Sequence, residues 1–165
     1  MTNDYHSEDL AVNNHRSLRR LERAITMSQG QFSLNLVCCN SPSLRQQVVN
    51  QLQEASSFQI QKLILHPSVN TLFTTILTAV EGQQPPALIV LGLESVIAIE
   101  QVLSATNLVR DEFRKNFAFP LVLCINDEIL HKMIRLAPDF KNWAANPIRF
   151  EVPKKQWFAR AAITA

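Results

Sequence analysis

The chain has 165 residues, 47% apolar, 18% charged and 7% aromatic, with a net charge of +2. These values suit one globular domain with its own core and exclude a disordered chain. Only three glycines occur, Gly30, Gly82 and Gly92, where average usage would give about a dozen. Neither glycine-rich phosphate motif fits them, and the G-x-S-x-G nucleophile elbow is also missing.

Residues 1–15 are polar and read as a flexible leader without the apolar stretch of a signal peptide. A helix is predicted from about residue 16 to 28, with Leu18, Leu21 and Ile25 as its apolar stripe. Its other face carries Arg16, Arg19, Arg20 and Arg23, a solvated face or else a partner or nucleic-acid contact. The near-neutral net charge makes nucleic acid an unexpected partner. Residues 32–39 form a first strand. Ser41-Pro42-Ser43 opens a helix to about Ala55, since serine caps helices and proline suits a first turn. A second strand covers about 59–65, and His66-Pro67-Ser68 ends it.

A third helix carries Leu72, Phe73, Ile76, Leu77 and Val80 at helical spacing. The Gly82 to Pro86 turn leads into the continuous apolar strand Ala87-Leu88-Ile89-Val90-Leu91, a pattern typical of burial on both faces. One long helix is expected from Val96 or Glu100 to Phe117. Residues 119–125 make a fourth strand, Asp127 opens the next helix, and residues 148–152 make a short last strand. Helical crossovers between apolar strands predict an α/β fold. Its sheet would have five mostly parallel strands with helices on both faces, a three-layer sandwich forming a single domain over 16–152. Residues 153–165 are a short tail, whose Trp157 and Phe158 beside Lys154 and Lys155 are candidates for a partner contact.

Chemistry is sought where such sheets bind ligands, at the carboxyl ends of the strands. After the first strand, Asn40, Ser41, Ser43 and Arg45 occupy a helix N-terminus that offers N–H groups, a positive dipole end and a guanidinium. The plainer reading is that Ser41 or Ser43 caps the helix. Glu94 follows the third strand, with a turn or capping role weighed against an acid role. After the fourth strand Asn126 is a candidate polar sensor, Asp127 the N-cap and Glu128 a first-turn acid. Cys38, Cys39 and Cys124 sit in apolar strands and read as buried reduced thiols rather than a metal or disulfide set. His66 reads as a strand end and His131 as helix surface. A receiver domain lacks its acidic pocket here, which leaves a P-loop-type core as the better doubly wound candidate.

The segments 32–45, ending Asn40-Ser41-Pro42-Ser43-Leu44-Arg45, together with 106–113, 119–123, Asn126-Asp127-Glu128 and Arg135-Leu136-Ala137-Pro138-Asp139-Phe140, resemble a known family. It is the N-terminal AAA-like domain of bacterial, especially cyanobacterial, STAND-type signalling proteins, which precedes TPR or WD40 repeats. The resemblance covers about 16–151, and the run through Phe140 and Trp143 is its most specific part. It implies a P-loop NTPase-like core with a regulatory role. The phosphate-loop position here lacks both glycine and lysine, so the expectation is a degenerate site with no cofactor. The chain would then be a non-catalytic, cytoplasmic regulatory or protein-interaction domain, with a protein partner or self-association and no membrane. The alternative is a nucleotide-binding domain for ATP or GTP with weak or no hydrolysis. No apolar run of about 18 residues predicts a membrane span.

Overall fold

A computed structural model describes residues 2–152, with the side chains of 2–8 excepted. The order is α1 (Thr2–Met27), β1 (Ser33–Cys39), α2 (Pro42–Ala55), β2 (Gln61–Ile64), α3 (Leu72–Val80) and β3 (Leu88–Leu91). After a single 3-10 turn at Leu93–Ser95 come α4 (Ile99–Leu108), α5 (Arg110–Asn116), β4 (Pro120–Ile125), α6 (Asp127–Leu136), α7 (Pro138–Lys141) and β5 (Ile148–Phe150). The strands form one sheet in the order β2-β3-β4-β1-β5, and every pairing is parallel. This is the α/β sandwich that the alternating apolar runs predict.

The pleat sorts β1 into two layers, because successive side chains point to opposite faces. Leu34, Leu36 and Cys38 join a core with Ile76 of α3, Val102 of α4, Phe113 of α5, Met133 of α6 and Phe140 of α7. Val37 and Cys39 face the other way, onto Leu21 and Ile25 of α1 and Val49 and Leu52 of α2. β1 therefore leaves through a helix on one face, while β3 and β4 leave through helices on the other. Right-handed crossovers require this, since β1 leads leftward to β2 and all later connections run back. The loops after β1 and after β3 consequently diverge above the carboxyl edge of the sheet.

Two boundaries differ from the sequence reading. α1 begins at Thr2, so the helix continues through the segment read as a leader. That half has no apolar stripe, and a tertiary contact fastens it instead. Asn14 Nδ2 donates to the Glu151 carbonyl at 2.8 Å, and the Glu151 N–H donates to Asn14 Oδ1 at 3.0 Å. One side-chain amide thus satisfies both backbone polar groups of Glu151, just beyond edge strand β5, and removes a pairing template. The long helix predicted up to Phe117 is also broken. Val109, at φ −104° and ψ 17°, separates α4 from α5. At the break Arg110 Nη1 donates to the Asn107 carbonyl at 2.6 Å, and the Asn107 side chain accepts from the Phe140 N–H at 3.0 Å.

The Ala137-Pro138-Asp139-Phe140 run, with Trp143, is a packing corner. Phe140 is fully buried against Phe113, with ring centroids 4.9 Å apart. Trp143 meets Phe32 edge-on at 6.2 Å, and the Arg114 guanidinium lies 3.8 Å from its ring centroid. Such pairs add about 0.5–1.5 kcal/mol beyond their burial. No helix among the described residues is long and apolar enough to cross a membrane.

Candidate functional site

The carboxyl edge gathers six of the seven residues singled out from the sequence into two side-chain bridges and two helix caps. The first bridge centres on Asp127. Asn40, at the end of β1, donates from Nδ2 to Asp127 Oδ2 at 2.9 Å, and its Oδ1 accepts the Asp127 N–H at 2.9 Å. The other oxygen, Oδ1, accepts from Arg149 Nη1 of β5 at 2.9 Å and from the Cys38 thiol at 3.1 Å. These donors, Asn40 first and then Arg149 and Cys38, hold the Asp127 carboxyl well below the usual carboxylate range. Asp127 in turn raises the Arg149 guanidinium.

The cap assignment is corrected by one residue. Asn126, not Asp127, is the N-cap of α6, and its Oδ1 accepts the Ile129 N–H at 2.9 Å. Either side chain suits a cap by type. Three outside donors draw Asp127 across the sheet edge and leave Asn126 to close the helix. The position that could have served as a free polar sensor is therefore engaged by its own backbone.

The second bridge joins Arg45 of α2 to Glu94 in the turn after β3. The Arg45 side chain is 8% exposed, and its Nη1 is ion-paired with Glu94 Oε1. Its Nη2 donates to the Cys39 carbonyl at 2.9 Å, while the buried Nε meets no acceptor among the described residues. Glu94 is thus held as a partner of Arg45 rather than acting only at its turn. Gly92 opens the turn that carries Glu94 and packs its backbone on Leu65. Its φ of +91° is left-handed, and a Cβ there would lie 3.1 Å from the Leu65 carbonyl oxygen.

At the α2 N-terminus, Ser41 is the cap and its Oγ accepts the Leu44 N–H at 3.2 Å. Ser43 does not cap; its hydroxyl lies 3.2 Å from that of Ser41. Pro42 brings no N–H, so of the first-turn donors only that of Ser43 is left outside these bonds. A phosphate-gripping loop needs several such donors aimed at one point.

The thiols are not poised nucleophiles. Burial first, and then the hydrogen bond to Asp127, push Cys38 up to about 12. Burial raises Cys124 to about 12 and also raises Cys39. Cys38 faces one core layer and Cys39 with Cys124 the other, and all three are free. Among the described residues His66 bonds locally, its Nδ1 lying 2.7 Å from Ser68 Oγ.

Sequence reasoning missed Arg149 and Cys38 as members of the Asp127 bridge. The signal for Arg149 is its alternation, a charged residue between the buried Ile148 and Phe150 at a strand's carboxyl end. The Trp157 and Phe158 contact read from the tail lies outside the described residues. No protein-family model, curated protein or solved structure matches the chain.

Proposed function

We propose that the chain is a non-catalytic regulatory or protein-interaction domain with a degenerate P-loop-like crevice filled by its own side chains. The observation that carries this reading is the Arg45–Glu94 bridge. The acid after β3, which would serve a bound magnesium nucleotide in an active relative, is engaged by an arginine from the phosphate-loop helix. The Asn40–Asp127 pair spans the ends of β1 and β4 in the same way. Breaking into either bridge would cost a ligand the charge-assisted bonds already made. The chemistry of phosphoryl transfer, which needs a lysine, a metal-holding hydroxyl and a free acid, finds none of these groups available together. The pairing of β1 with β4, a neighbour relation of P-loop cores, supports the fold side of the reading.

A second reading, weak nucleotide binding without hydrolysis, rests on one observation. The buried Arg45 Nε has no acceptor among the described residues, and a ligand oxygen would satisfy it. Thermal melting with Mg-ATP and with Mg-GTP separates the two. The first reading expects no rise in melting temperature at nucleotide concentrations up to about 100 µM. A rise that grows with nucleotide concentration supports the second, because only ligands that prefer the folded state stabilise it.

A further inference from the structure

Four arginines, Arg16, Arg19, Arg20 and Arg23, stand exposed on α1. At 3.6 residues per turn they fall within an arc of about 100°, opposite the buried Leu21 and Ile25. Among the described residues none of them takes part in an ion pair. The face carries no lysine, and arginine is the cation whose planar fork matches a carboxylate. Arg16 and Arg20 border an open groove of about 410 Å³ between α1 and the β5 edge. Arg149 and Asn13 add donors to it, and Leu10 and Pro147 give it apolar wall. Since Asn14 already engages the backbone N–H and carbonyl of Glu151, an occupant would lie in the groove without extending the sheet there.

We propose that this groove docks an acidic segment of another protein, one that alternates carboxylates with apolar side chains. Charge complementarity selects the occupant. The chain's own segment after β5 carries Lys154, Lys155 and Arg160 and no acid, so it is electrostatically mismatched. Nucleic acid is disfavoured by a net charge of only +2 and by the Glu151 carboxylate in the groove wall. Apolar wall next to arginine is the mixture that peptide side chains match and a phosphate backbone does not. The inference rests on the interaction-domain reading and names the partner class for it.

The test is fluorescence anisotropy on the full chain with two labelled probes. One is a peptide alternating glutamate and leucine, and the other a single-stranded oligonucleotide of equal net charge. The expected result is saturable peptide binding that is tighter than oligonucleotide binding. Arg16→Gln with Arg20→Gln should weaken it by about tenfold or more, as expected for lost charge-assisted bonds. Arg16→Lys with Arg20→Lys, which keeps the charge but not the fork, should fall between. Lys62→Gln with Lys115→Gln, an equal charge change away from the groove, should shift it by less than about twofold. The proposal is overturned by absent peptide saturation, by equal losses in the arginine and lysine pairs, or by tighter oligonucleotide binding. The arginines are exposed, so circular dichroism should report an unchanged fold in each variant. Mg-ATP titrated into the same samples keeps the readings separate. Tight nucleotide binding would overturn the reading of a crevice filled by its own side chains and leave the groove to be judged by the peptide.

Discussion

Arg45 and Glu94 are 49 positions apart in sequence and form an ion pair that reaches from the helix after β1 to the turn after β3. β4 lies between those strands in the sheet, so the pair bridges over its carboxyl end. The arginine is nearly buried and the glutamate side chain 28% exposed. Removing one partner strands a buried charge, which costs more than the pair itself contributes. Glu94→Ala should therefore destabilise the fold by about 2 kcal/mol, read from urea unfolding at an unchanged slope. In Arg45→Met with Glu94→Ala, the loss should fall short of the summed single losses by about 1 kcal/mol or more. Additive losses would mean that the two residues do not interact.

Asp127 gives the acid limb a signature. Its carboxyl is depressed by Asn40, Arg149 and Cys38, so its stabilisation is complete above the unfolded value of about 3.9 and fades as pH falls toward the lower native value. Asp127→Asn should cost roughly 1 kcal/mol at pH 7, a modest figure because both charged side chains are about half exposed to water. Chemical denaturation across pH 2–7 checks this. The gap between the two proteins should narrow as pH falls below about 4, and a gap independent of pH would show that the carboxylate charge contributes nothing.

The thiols supply a prediction about reactivity. Cys38 and Cys124 are pushed up to about 12 and all three cysteines are buried. For Cys38 and Cys124 the thiolate population at neutral pH then falls by roughly a thousandfold against a free cysteine, and burial lowers that of Cys39 too. Alkylation of the native protein at pH 7.5 should be slow at every site, with three equivalents reacting at once in denaturant. Rapid native labelling of Cys38 would argue that the Asp127 bridge opens readily.

Gly92→Ala should destabilise by about 1–3 kcal/mol. The strain has two sources, a left-handed backbone and a new methyl 3.1 Å from the Leu65 carbonyl oxygen. Because Gly92 sets the path of the turn that carries Glu94, a double variant with Glu94→Ala should show coupling rather than simple addition. Thermal or urea unfolding of the set provides the measurement.

The strands were legible because burial on both faces writes a continuous apolar run, as in Leu88-Ile89-Val90-Leu91. Helix α2 was legible from Ser41 and Pro42, local signals that need no tertiary knowledge. What escaped depends on distant residues. The first half of α1 has no apolar stripe, and the Asn14–Glu151 clamp spans 137 positions. The break at Val109 answers to Asn107, Arg110 and Phe140 rather than to a glycine or proline. The candidate site shows the same division. Asn40, Ser41, Ser43, Arg45, Glu94, Asn126 and Asp127 could be placed at the carboxyl edge from strand ends alone. Their partners could not, because Asn126 and Asp127 are equally good caps by type and only Arg149, Cys38 and Asn40 decide between them.

The central claim, that the crevice is filled by its own side chains, is tested most directly by calorimetric titration of Mg-ATP into the wild-type protein. The account predicts no saturable heat, with any dissociation constant weaker than about 100 µM. A constant tighter than that, worth over about 5 kcal/mol of binding, would contradict it.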